Sequence, residues 1–252
     1  MKKKLYTLSH NLKNLREIPS ETIFTSDEHS KISELELKDN ELKNKNNLIE
    51  YSLTKNIRSK TQALFFLVDR IKEKNYNQIF SLGSGLSDLE YFLYLSLNKN
   101  IEIISSDFDQ FFVEKSNQFF PEFETIQFDF FNDSLNKINK KIDLAFSFGS
   151  FYVMDDNEFI RLFKDIKSSG VKEIIDFHAG YMTKKMYLRN LIYPYYSFFK
   201  NLFDKEEKTF KGKFHGFSRS RNELINLYKK SGWTPVKEIN NLGNYKYTCI
   251  LN

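Results

Sequence analysis

The 252-residue chain has a single cysteine, Cys249, which excludes an internal disulfide and a cysteine-rich zinc site. Glycine (9) and proline (4) are scarce, while phenylalanine (26) and tyrosine (14) are plentiful. With abundant lysine and asparagine, this is the composition of AT-rich coding, so isolated aromatics and lysines carry little functional weight. No long hydrophobic run is present. The longest strongly apolar stretch, Ala63 to Val68, is far too short to span a bilayer. The start, MKKKLYTLSHNLKNL, is basic but lacks the apolar segment of a secretory signal. These absences lead to the expectation of a soluble, cytoplasmic protein with no transmembrane segment.

Charge of one sign is in excess only locally. The net charge is +5, and ten Lys or Arg face three acids between Lys184 and Arg221, leaving the rest slightly acidic. A localised surplus points to an anionic partner on one face; a solvated loop explains it equally simply. Residues 1–48 are polar (SELELKDNELKNKNN) and read as an N-terminal extension with short helices. From Leu48 to Lys74, Leu53, Ile57, Leu64, Leu67, Val68 and Ile71 fall at helical spacing and predict one amphipathic helix.

The stretch that organises the remainder is QIFSLGSGLSDLE, Gln78 to Glu90. Ile79 to Leu82 reads as a buried strand, Gly83-Ser84-Gly85 as a sharp turn, and Ser87 or Asp88 as the cap of a helix. Further strands are predicted at 101–105, 125–128, 142–148 and 171–177, with helices at 109–120 and 156–168. After an aromatic and basic insertion at about 181–219 come a helix at 220–231 and two strands, 233–239 and 245–251. The last two are joined by Asn240 to Asn244, an Asn/Gly connection that predicts an antiparallel hairpin. The whole is an α/β, Rossmann-like, seven-stranded and mostly parallel sheet with helices on both faces. Residues 49–252 form its domain, capped by the insertion.

With this order of elements, the chain resembles the class I S-adenosylmethionine-dependent methyltransferases. The resemblance is good over roughly 77–180, weaker over 220–252, and absent before about 50 and through the insertion. It departs from the family motif where Ser81 replaces the usual acid and Ser87 the third glycine. The resemblance implies S-adenosylmethionine as cofactor, held at Ser81, Gly83, Ser84 and Gly85. It also implies that Asp107, beside Phe108, accepts the ribose hydroxyls, with Asp109 capping the next helix. Asp129 and Phe130 fall at the adenine position. Gly149-Ser150-Phe151-Tyr152 falls at the family's position facing the methyl group, with Tyr152 a catalytic candidate and Phe148 beside the cofactor; aromatic faces there suit a sulfonium, and Phe148 and Phe151 fit the core equally well.

His178, just after the fifth strand, is a candidate general base toward an acceptor hydroxyl, although a lone histidine is more often structural. Asp155, Asp156 and Asp176 are considered as a metal site and set aside, so no metal is expected. Lys184, Lys185, Arg189, His215, Arg219 and Arg221 are candidates to bind a carboxylate- or phosphate-bearing small molecule.

Methyl transfer to a small anionic acceptor is the leading expectation. The family resemblance also accommodates an RNA methyltransferase gripping phosphates with the basic insertion, or a non-catalytic nucleotide-binding protein. A DNA-base methylase is disfavoured because no Asn-Pro-Pro-Tyr-like sequence follows the fourth strand. A dinucleotide dehydrogenase is disfavoured because its third fingerprint glycine falls at Asp88, whose carboxylate would repel pyrophosphate.

Overall fold

The computed structural model describes residues 3–7, 37–38, 41–97, 100–183, 188 and 213–252. In chain order the elements are β1 (Lys3–Thr7), α1 (Lys45–Tyr51), α2 (Ile57–Lys74), β2 (Gln78–Leu82), α3 (Asp88–Ser96) and β3 (Glu102–Asp107). They continue with α4 (Gln110–Phe119), β4 (Glu124–Gln127), β5 (Leu144–Ser147), α5 (Asp156–Ser168) and β6 (Glu173–His178). The last are β7 (Lys213–Ser218), α6 (Arg221–Lys230), β8 (Pro235–Ile239) and β9 (Tyr247–Leu251).

Short apolar runs become strands because both faces of the sheet are covered by helices, so nearly every residue of β2, β3, β5, β6 and β9 is buried. The strand order is β4-β3-β2-β5-β6-β9-β8, parallel from β4 to β6 and antiparallel at β9 and β8. The order reverses between β2 and β5, which opens a crevice at the carboxyl ends of those two strands. On one face Phe159 and Phe163 of α5 pack with Leu224 and Tyr228 of α6 and with Trp233. On the other, Leu64, Leu67 and Ile71 of α2 pack with Leu93 of α3, Phe120 and Tyr245. Among the described residues no helix is long and apolar enough to cross a membrane.

Three features differ from expectation. The single helix expected from Leu48 is interrupted by a π turn at Ser52–Asn56. The π turn's wider winding shifts the helical phase, and Leu53 is 51% exposed although its spacing puts it on the apolar face. The N-terminal extension supplies a strand, β1, rather than only helices, and Leu37 and Leu42 join the core around α2. Within the expected cap, β7 pairs antiparallel with β1 in a two-stranded ribbon. Lys184, Lys185 and Arg189 lie outside the described residues, as does the side chain of His215.

Candidate active site

The glycine turn follows β2 at the crevice. Gly83 and Gly85 both adopt left-handed backbone (φ 71° and 59°). A Cβ on Gly83 would meet Ser150 Oγ at 2.4 Å and Phe130 Cζ at 3.0 Å, so only glycine passes there. Gly83 and Ser84 donate their backbone N–H groups to the Ser106 carbonyl, each at 2.9 Å. Ser150 closes the turn from the β5 side by donating to the Gly83 carbonyl at 2.8 Å.

Ser87 is left-handed too (φ 57°), as a glycine would be, and makes no side-chain cap for α3. Its hydroxyl instead joins Ser84 (3.1 Å), Ser105 (2.7 Å) and Ser116 (3.1 Å), a buried cluster tying the turn to β3 and α4. Asp88 accepts from Ser52 at the start of the π turn rather than capping α3 with its side chain.

Asp107 ends β3 with its side chain nearly buried. Its Oδ2 accepts from Gly85 N at 2.8 Å and its Oδ1 from Asp109 N at 3.0 Å, which fixes the carboxylate plane against the glycine turn. Asp109 caps α4 by accepting from Phe111 N at 3.0 Å, as its position predicts. Phe108 is half-buried beside Asp107, and its carbonyl accepts from the Gln127 amide at 3.1 Å. Asp129 is half-buried and organises the loop after β4, accepting from Phe131 N (2.8 Å) and Asn132 Nδ2 (2.7 Å). Phe130 packs against Phe128 and Phe151, and its carbonyl accepts from Arg161. A turn that admits close backbone approach and an oriented carboxylate at its mouth together fit the diol of a nucleoside.

Ser81 lies on β2 between Ser105 and Phe146 and donates to Glu90 Oε1 at 2.6 Å. Glu90 comes from the first turn of α3 and is 1% exposed. Its Oε2 has no hydrogen-bond partner among the described residues. Burial pushes its carboxyl up to about 7, opposed by the Ser81 hydrogen bond. Sequence reasoning missed this residue; the available signal was an acid flanked by Leu89 and in helical register with Leu93.

Phe148, at the end of β5, is half-buried in a ring stack with Phe177 (4.8 Å between centroids) and Tyr245 (6.1 Å). Tyr152 lies in the short helical turn after β5, wedged between chain segments at two glycines. A Cβ on Gly180 would meet Tyr152 Cβ at 2.7 Å, and one on Gly216 of β7 would meet Tyr152 Cδ2 at 2.4 Å. Burial raises the Tyr152 phenol well above its ordinary value.

His178 is buried at the carboxyl end of β6, with Nδ1 3.1 Å from Asp176 Oδ2. Asp176 Oδ2 also accepts from the Tyr228 hydroxyl at 2.6 Å. With the carboxylate accepting, Nδ1 carries the proton and Nε2 is the acceptor; Nε2 has no partner among the described residues. The three acids considered for a metal have separate partners: Asp155 caps α5, Asp156 meets Arg219, and Asp176 holds His178.

Of the two arginines expected to face an anionic acceptor, Arg219 is engaged inside the fold and Arg221 is exposed at the surface in an ion pair. Arg219 is fully buried and donates to the Met154 carbonyl (2.6 Å) and Asp156 Oδ1 (3.0 Å), with its guanidinium over Phe159 and Phe217. Arg221 pairs with Glu238 of β8, Nε to Oε2 at 2.6 Å. A cation that bridges two packed segments is indistinguishable in sequence from one on the surface.

The sequence matches no family model and no curated protein. Solved structures, by contrast, resemble it over most of its length. Human N-acetylserotonin methyltransferase in complex with S-adenosylmethionine is 17% identical, with a TM-score of 0.56 over 90% of this chain and 56% of that one. The S-adenosylmethionine-dependent methyltransferase SibL is 13% identical, with a TM-score of 0.56 over 94% and 64%. Magnesium protoporphyrin IX methyltransferase from Synechocystis, with bound S-adenosylhomocysteine, is 12% identical, with a TM-score of 0.52 over 77% and 82%. The chain spans under two thirds of the length of the first two. The chain has the Rossmann-like fold of the class I S-adenosylmethionine-dependent methyltransferases.

Proposed function

We propose that this protein transfers a methyl group from S-adenosylmethionine to a small acceptor bearing a carboxylate or phosphate. The observation that carries the reading is the Asp107 carboxylate, fixed by Gly85 N and Asp109 N at the mouth of a left-handed glycine turn beside the sheet's switch point. A paired acceptor there suits the two ribose hydroxyls, and the glycine turn admits the rest of the nucleoside. When bound, the cofactor supplies a methyl group already activated by positive sulfur.

The chain then has to align the acceptor and exclude water, and alignment of this kind is worth roughly 7–11 kcal/mol in favourable cases. Asp129 and Phe130 lie on the loop after β4 and take the adenine end. His178 is the general base: Asp176 holds the proton on Nδ1, and Nε2 takes the proton of the acceptor hydroxyl. Half-buried, Tyr152 stays protonated and walls the transfer site. The anionic character of the acceptor is argued from the cations of the basic insertion other than Arg219, with Lys184, Lys185 and Arg189 foremost.

Calorimetry with S-adenosylhomocysteine and with NAD tests the reading. S-adenosylhomocysteine should bind, and Asp107→Ala should weaken it by roughly 10- to 150-fold, the equivalent of lost charge-assisted hydrogen bonds. Tight NAD binding with no response to S-adenosylhomocysteine would sink the proposal.

A further inference from the structure

Glu90 is a buried carboxylate with half its acceptor capacity unused. Oε1 is held by Ser81 at 2.6 Å, and Oε2 has no partner among the described residues. Its place is specific. Ser81 is paired with Ser105 of β3 on one side and Phe146 of β5 on the other, two residues before Gly83, so the carboxylate lies against the face of β2 at the foot of the glycine turn. The groups that face it are few. Asp88 on its own helix adds negative charge, Lys60 of α2 opposes that, and Tyr245 lies close enough for its phenol to be raised, after burial, by the charges of Glu90 and Asp88. The Tyr245 hydroxyl donates to the Phe148 carbonyl at 3.1 Å. A buried carboxylate in such surroundings is complementary to a compact cation with several N–H donors, which a primary ammonium supplies.

We infer that Glu90 holds the α-ammonium of the methionyl end of S-adenosylmethionine, reaching into the crevice from helix α3 while β2 contributes only the Ser81 hydroxyl. This rests on the methyl-donor reading above and extends it to the end of the cofactor opposite Asp107. One consequence is linkage to protons. A carboxyl pushed up to about 7 by burial is largely neutral at pH 6 and must ionise to pair with the ammonium, so a ligand carrying that group expels a proton. Affinity for such a ligand then rises about tenfold between pH 6 and pH 8.

The experiment compares S-adenosylhomocysteine with 5′-methylthioadenosine, a nucleoside thioether lacking the amino-acid end. Calorimetry at pH 6 in buffers of different ionisation enthalpy should show proton release by the wild type with S-adenosylhomocysteine and none with methylthioadenosine. Glu90→Gln should weaken S-adenosylhomocysteine by about 10- to 150-fold and abolish its proton release, with methylthioadenosine affinity unchanged. The methylthioadenosine arm reports whether the variant is folded, and the proton release of the wild type stands without any variant. Wild-type binding of S-adenosylhomocysteine without proton release, or an unimpaired Glu90→Gln, would overturn the inference alone. Failure of the wild type to bind either nucleoside would overturn the methyl-donor reading as well.

Discussion

A carboxyl group with an ordinary value near 4.5, pushed by burial up to about 7, binds more protons in the folded chain than in the unfolded one between those values. For ligand-free protein the sign follows directly. The contribution of Glu90 to stability is fully present below about pH 4.5, falls as pH rises toward 7, and is lost above it. Glu90→Gln removes that slope while keeping an acceptor for Ser81. The variant should therefore gain on the wild type by about 3 kcal/mol between pH 4.5 and pH 8. Urea midpoints measured across that range check this. Parallel wild-type and variant curves would mean that the carboxyl is solvated. Asp107 was legible in the sequence because a strand followed by Ser-Ser-Asp-Phe-Asp puts an acid at a known edge. Glu90 was not, since acids in a first helical turn are ordinarily read as partners of the helix dipole.

Among elements, the five parallel strands and the terminal hairpin were legible because each is a short apolar run bounded by polar or glycine turns. Their ends fall within about two residues of the runs, the usual uncertainty of element boundaries. The ribbon of β1 and β7 was not. KKLYT and KFHGFS offer no buried-strand pattern, and what defines them is pairing with each other. The ribbon matters because Gly216 brings β7 against Tyr152, where an added Cβ would lie 2.4 Å from the ring and 2.7 Å from the Tyr152 carbonyl. Backbone cannot yield cheaply to that contact. Gly216→Ala should destabilise the ribbon by roughly 1–3 kcal/mol, the range for overpacking. Faster amide exchange confined to 3–7 and 213–218 would be the signature; unchanged exchange there would show that β7 is not held by this contact. The burial of Arg219 has a parallel lesson. Charge reversal at that position would break its bonds to Met154 and Asp156, so the acceptor's charge is better probed at Lys184, Lys185 and Arg189.

Across the whole molecule, strands β2 to β6 follow one another in sequence, joined through α-helices except between β4 and β5, and β6, β9 and β8 close the sheet. The ribbon is different: Lys3 meets Ser218, a separation of more than two hundred residues. Closing so large a loop carries an entropic cost that local pairings do not, so long-range pairings of this kind form late. Pulse-labelling exchange during refolding should find β1 and β7 amides protected after those of β2 and β3. Simultaneous protection would contradict that order. During synthesis residues 3–7 leave the ribosome long before their partners at 213–218 exist, and until then the wall over Tyr152 is incomplete. A translation product truncated before residue 213 therefore lacks that wall, and the basic insertion it carries has no ribbon to anchor its far end.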